Sequence, residues 1–417
     1  MKLKLSIPYV YSIPIIWASI LVMIMLAACD PATGTLSQAT ATLPQATATL
    51  PRATATLPHA TATLPQATAT LPQATATVPQ ASSEPVQLPL SELGPYFPGK
   101  RTFTFEDTSR ENREVSIDLW YPAVRPEGYK GTVASDAVPD LGGKPYPLIL
   151  SSTKTGNIFA PHLASHGFVV AGVSSKMDPA GRWDLWLIDY PLDIVFAINQ
   201  LASNPLGGLE SVIDTNHAGV MGYSFDGYNA LALSGARVDP KFYSAQCTQA
   251  PTMETAPPEW WIEYICDMAV KWDEFEAHAG EAITISDDGL WQPMTDERIR
   301  AAMPMAPEGA WLFGERGLGV VNRPTLIIGA TKDDLNIYNF EAAYIFEHLG
   351  TPDSTMISFV GKDHMMIFDN YQVARMKHFS TAFFGYYLQM LDDYAGYFSE
   401  DFIAQYDDLA WGVYTGE

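Results

Sequence analysis

Cysteine and positive charge are both scarce in this chain. Three cysteines occur among 417 residues: Cys29, Cys247 and Cys266. No two are spaced C-x-x-C and none joins a His/Cys cluster, so no zinc or other structural metal is expected. Lys and Arg number 24 against 47 Asp and Glu, a net charge of −23. The whole of the excess lies from residue 86 onward, where 21 basic residues face 45 acidic ones. Such a chain repels phosphate backbones, which argues against nucleic acid as a partner and disfavours anionic lipid surfaces.

Residues 36–80 lack the apolar content of a core. They repeat a seven-residue unit, as in Thr49-Leu50-Pro51-Arg52-Ala53-Thr54-Ala55, with one large apolar residue per unit. A proline in every unit excludes a coiled coil despite the period of seven. Residues 29–85 are therefore expected to form a semi-extended Pro/Thr/Ala stalk. Before them, Lys2 and Lys4 precede an apolar run from Ile7 to Ala28 that ends in Leu26-Ala27-Ala28-Cys29. A basic start, an apolar stretch and small residues at its end describe a signal peptide over 1–28. The L-A-A-C sequence resembles a bacterial lipobox, which implies diacylglycerol on Cys29 and membrane attachment through that anchor. The alternative is an uncleaved transmembrane anchor, since about 22 apolar residues can span a bilayer. Either way the remaining chain lies outside the cytoplasm.

Residues 86–417 are sufficient for one large domain. Val115-Ser116-Ile117-Asp118-Leu119 alternates apolar and polar, as an antiparallel strand does. Short buried strands are expected at 147–150, 168–173, 218–221, 302–305, 325–328 and 355–359. Helices are expected at 158–166, 185–202 and after Gly227. This alternation predicts an α/β domain with a mostly parallel, doubly wound sheet. Residues 238–300, rich in Trp, Pro, Met and acid, break the rhythm and are expected to be a lid-like insertion over the active site.

The strongest chemical signal is Gly222-Tyr223-Ser224-Phe225-Asp226-Gly227, between an apolar strand and the helical stretch Tyr228-Asn229-Ala230-Leu231-Ala232-Leu233. A serine on a sharp strand-to-helix turn is a nucleophile elbow. Asp226 occupies the position of the usual second glycine, where its side chain could crowd the turn. Of eight histidines, only His364 falls in a loop just after a late strand, where an imidazole can reach the serine as general base. The acid is expected after the strand before it, at Asp333 or Asp334; spacing from Gly329 favours Asp333. A carboxylate there holds the imidazole tautomer and stabilises the imidazolium. Two N–H donors are needed for the oxyanion. One is Phe225, next to the nucleophile. The other belongs to the loop after Leu150, at Ser152, Thr153 or Lys154, with Thr153 central.

Several segments together resemble the bacterial relatives of platelet-activating-factor acetylhydrolase, a dienelactone-hydrolase-like branch of the α/β-hydrolases. They are Leu119-Trp120-Tyr121-Pro122-Ala123, Leu163-Ala164-Ser165-His166-Gly167-Phe168, the Ser224 motif, Met305-Ala306-Pro307 and Pro324-Thr325-Leu326-Ile327-Ile328-Gly329. The resemblance covers about 310 C-terminal residues. It implies the α/β-hydrolase fold and hydrolysis of small-molecule carboxylic esters, often with short acyl groups, without metal or cofactor. Two departures stand out: Asp226 for glycine, and Ser151-Ser152-Thr153-Lys154 where the family usually has His-Gly.

The expected activity is ester hydrolysis by Ser224, Asp333 and His364 through an acyl-enzyme. A non-catalytic surface-binding module on the same fold and a serine peptidase are the rivals. Cys247 and Cys266 are expected to form a disulfide, because an exported chain meets an oxidising compartment; two separately buried thiols are the alternative.

Overall fold

Apolar runs that are buried on both sides become the central strands. The computed structural model describes residues 88–175, 182–253 and 255–416. The signal peptide, Cys29 and the stalk expected over 29–85 lie outside the described residues.

Ten strands form one sheet: β1 Phe97–Asp107, β2 Arg113–Ala123, β3 Ala134–Ser135, β4 Tyr146–Ser152, β5 Val169–Ser175, β6 Ile213–Tyr223, β7 Ile299–Met305, β8 Thr325–Ala330, β9 Ser354–Phe359 and β10 Leu409–Trp411. Their order is β10-β9-β8-β7-β6-β4-β5-β2-β1-β3. The block from β9 to β5 is parallel, whereas β10 pairs antiparallel with β9, and β2 with both β5 and β1. The early alternation is realised in β2, where Val115, Ile117 and Leu119 are inaccessible and Ser116 and Asp118 are not. The expected doubly wound α/β sheet is thus observed in its coarse form: a mostly parallel sheet between helices. β1, β3 and β10 are not among the expected strands. β1 alternates half-buried and exposed residues over its second half, and its apolar phase there rests on only Phe103 and Phe105, both half-buried.

The main helices are α1 Thr153–Ser165, α2 Trp183–Ser203, α3 Phe225–Ser234, α4 Pro240–Gln249, α5 Glu259–Cys266, α6 Trp272–Ala279, α7 Ala310–Gly319, α8 Ala342–His348 and α9 Asn370–Gln389. On one face Phe159 and Leu163 of α1 and Met376, Phe379 and Phe383 of α9 pack with Ile149, Val170 and Met221. On the other, Ile194, Ile198 and Leu201 of α2 and Leu233 of α3 pack with Leu148, Leu150 and Val220.

Strand order reverses beside β4, because β5 lies on one side of it and β6 on the other. Ligands of open α/β sheets bind at the carboxyl ends of strands at such a switch point. Ser224 follows β6 and Thr153 follows β4, so both stand on its rim.

The irregular stretch expected over 238–300 contains α4, α5 and α6 before the chain re-enters the sheet at Ile299. Cys247 of α4 and Cys266 of α5 are joined by a disulfide. Trp261, Phe275 and Trp291 bury themselves in this segment, and Tyr264 stacks on Trp183 of α2 with ring centroids 5.0 Å apart.

Candidate active site

The turn after β6 is strained, and its neighbours show why. Ser224 has φ 61° and ψ −124°, a conformation L-residues seldom adopt and one that persists only where surrounding structure enforces it. A Cβ on Gly222 would sit 1.9 Å from the carbonyl oxygen of Asp226, so only glycine lets the helix double back over the strand. Backbone bonds hold the turn: the Ser224 N–H donates to the Met305 carbonyl at 2.9 Å, and the Gly227 N–H donates to the Ser224 carbonyl at 2.7 Å.

The structure brings Ser224, His364 and Asp333 together. Ser224 Oγ is 2.9 Å from His364 Nε2. His364 Nδ1 is 2.9 and 3.0 Å from the two carboxylate oxygens of Asp333. His364 opens a short 3-10 turn after the four-residue loop that follows β9 and is buried, as is Asp333. Two further donors orient the acid: the N–H groups of Leu335 and Asn336 reach Asp333 Oδ1 at 3.0 and 2.8 Å. Asp334 faces solvent. Tyr223 anchors the base from below, its hydroxyl donating to the His364 carbonyl at 2.6 Å. This Ser–His–Asp relay can raise the nucleophilicity of a hydroxyl toward a carbonyl carbon. No family model matches the chain, and no curated protein does.

The loop expected after Leu150 is not a loop. β4 continues to Ser152 and α1 starts at Thr153, five residues before the helix expected at Ile158. Ser152 caps that helix, its Oγ accepting from the Thr155 N–H at 3.1 Å. Thr153 therefore occupies the first helical position, and Phe225 occupies the same position of α3. First-turn N–H groups have no acceptor within their own helix, so both remain available as oxyanion donors. The Thr153 hydroxyl is engaged separately, donating to the Gly172 carbonyl at 3.0 Å.

Asp226 does not crowd the turn. Its buried carboxylate points across the switch point to the cap of α1, accepting from Ser152 Oγ and, at 2.7 Å, from Thr155 Oγ1. The carboxylate of the elbow's helix and the hydroxyls at the start of α1 are therefore one feature, Ser152 and Thr155 both binding Asp226. The sequence held no signal for this pairing, because the partners are more than 70 residues apart. Replacing Asp226 by Gly removes both charge-assisted bonds and should lower stability by roughly 2 kcal/mol or more, read as a shift in denaturant midpoint. Asp226→Asn keeps one acceptor and should lose less; equal losses in the two variants would mean the hydroxyls contribute nothing.

Two buried acids beside the site also went unnoticed in the sequence. Glu308 follows β7 by three positions and is 6% exposed. Its Oε2 accepts from the Tyr264 hydroxyl at 3.2 Å. Glu341 is inaccessible and accepts from the Ala310 N–H at 2.9 Å. Burial pushes the Glu308 carboxyl from 4.5 up to about 7; burial, with the neighbouring Glu308, holds Glu341 well above the usual carboxylate range. Folded Glu308 thus binds its proton more tightly than the unfolded chain does. Its contribution to stability is complete below about 4.5 and is lost as pH rises through about 7. Glu308→Gln should therefore gain on the wild type by on the order of 3 kcal/mol between roughly pH 4 and pH 8. A stability difference independent of pH would show that Glu308 titrates as an ordinary surface acid.

Proposed function

We propose that this protein is a serine hydrolase of the α/β-hydrolase class that cleaves small-molecule carboxylic esters through an acyl-enzyme. What supports it above all is the unbroken relay from Ser224 Oγ to His364 to Asp333, with links of 2.9 Å. Ser224 Oγ attacks the ester carbonyl while His364 Nε2 takes its proton. Asp333 holds the proton on Nδ1 and balances the imidazolium. The tetrahedral oxyanion is received by the first-turn N–H groups of Phe225 and Thr153, where two helix N-termini also favour negative charge. His364 then protonates the leaving alcohol, and water attacks the acyl-Ser224 ester with His364 again as base. Asp226 acts as a positioning residue, tying the cap of α1 to the nucleophile's helix.

The resemblance to bacterial relatives of platelet-activating-factor acetylhydrolase agrees with this chemistry, as does the switch-point location. The lipobox-like Leu26-Ala27-Ala28-Cys29 supports an extracytoplasmic protein held to a membrane by lipid on Cys29. A serine-directed fluorophosphonate probe tests the activity: it should label the wild type and not Ser224→Ala. Absent labelling of the folded wild type, together with no turnover of short p-nitrophenyl esters, would leave a binding module on a hydrolase-like scaffold.

A further inference from the structure

An apolar slot lies between the inserted helices and the carboxyl edge of the sheet. Trp183, Tyr228, Tyr264, Met268, Trp311 and Leu312 line it, and Glu308 supplies its acidic group. Glu308 Oε2 is engaged by Tyr264, but Oε1 is buried without a partner. Among the described residues no basic side chain bonds Glu308, and the nearby Glu341 adds a second buried acid whose Oε1 is also unpartnered. The slot borders the nucleophile. Tyr228 lies one helical turn beyond Ser224, its ring centroid 6.2 Å from that of Phe225. Pro307, just before Glu308, packs so closely on Gly227 that a Cβ there would come within 2.8 Å.

We propose that this slot receives a primary ammonium group carried by the substrate, so that the natural substrate is a cationic ester. This rests on the serine-hydrolase function above. A buried carboxylate oxygen without a partner costs free energy unless its occupant brings a donor. An ammonium brings several N–H donors and a positive charge, and aromatic walls attract cations once these are stripped of water. A hydroxyl would satisfy Oε1 but would add no positive charge to that of Lys154, which acts on Glu308 without bonding it. The net charge of −23 adds a long-range field that draws cations toward the protein. At neutral pH the raised Glu308 carboxyl is only partly ionised, and a bound ammonium completes its ionisation.

The test compares isosteres on each side of the ester bond. On the alcohol side these are aminopentyl, hydroxypentyl and hexyl acetates. On the acyl side they are the p-nitrophenyl esters of aminohexanoic and heptanoic acids. The ammonium member of at least one set should have kcat/KM higher by on the order of 10- to 100-fold, the worth of a hydrogen bond between charged groups. In Glu308→Gln that ratio should collapse to about one; the ratio is the readout, because a general loss of activity does not move it. No preference in the wild type, or a preference that survives in folded Glu308→Gln, overturns the proposal. Should that variant not fold, wild-type tryptophan fluorescence decides through Trp183 and Trp311: pentylammonium should quench at a concentration at least about 10-fold lower than pentanol, and equal potency overturns the proposal. Ester turnover without ammonium preference would sink the slot alone. Ammonium binding without any ester turnover would sink the hydrolase function and leave the slot standing.

Discussion

Ser224→Ala and His364→Ala should each reduce turnover of a short p-nitrophenyl ester by on the order of 10³-fold or more, with little change in folding. The backbone at both positions is held independently of these side chains: Ser224 sits on a turn enforced by Gly222 and by the Met305 carbonyl, and the His364 carbonyl is held by Tyr223. Asp333→Asn should lose about 10³- to 10⁴-fold, for a reason visible in its hydrogen bonds. The N–H groups of Leu335 and Asn336 both point at Oδ1, so an asparagine must keep its oxygen there. Its NH₂ then faces His364 Nδ1, replacing an acceptor 2.9 Å away with a donor. The imidazole is driven to the tautomer with its proton on Nε2, which cannot take the proton from Ser224. Asp334→Asn, on the exposed neighbour, should leave the rate within about a factor of two. Near-wild-type turnover in Ser224→Ala or His364→Ala, or a larger loss for Asp334→Asn than for Asp333→Asn, would refute the relay.

Asp193→Ala should destabilise the domain by about 3–5 kcal/mol without directly touching the active site. The Asp193 side chain is inaccessible and accepts from Arg110 Nη2 at 2.5 Å and from Arg113 Nε and Nη2 at 2.9 Å each. Both arginines lie on the β1–β2 side of the sheet and are themselves mostly buried, so they tie that hairpin to α2. Removing Asp193 leaves two partly desolvated guanidinium groups with Asp107 and Asp189 as their remaining acidic partners. Asp189 in turn contacts His278 of α6 at 3.1 Å, which extends the cluster to the insertion. By contrast, breaking the exposed pair Lys271–Asp267 should cost below about 1 kcal/mol. The measurement is the denaturant midpoint at unchanged slope. A loss below about 1 kcal/mol for Asp193→Ala would mean that water substitutes for the carboxylate.

The strands that carry the site were legible because their evidence is consecutive. Ala218-Gly219-Val220-Met221 and Thr325-Leu326-Ile327-Ile328 are unbroken apolar runs, and such runs mark fully buried strands wherever they occur. The elbow was legible because a glycine two residues before a serine reports a local steric need. The early start of α1 was not legible: Thr153 to Asn157 show no apolar period, and the helix begins there because Ser152 caps it. β1 escaped because its apolar phase is short, resting on Phe103 and Phe105, which are only half-buried.

The sequence carries the order and chemistry of the parts: an α/β chain, a serine on a turn, and an acid and a histidine after successive late strands. It can do so because strand burial and turn sterics are short-range properties written in neighbouring residues. The packing of distant elements placed Asp226 on the cap of α1, buried Glu308 with an unpartnered oxygen, and set the disulfide-linked insertion against an aromatic slot. The environment of a polar side chain is set by whichever elements pack against it. Here those elements come from 70 or more positions away for Asp226 and 44 away for Glu308 and Tyr264, a separation that no local pattern encodes.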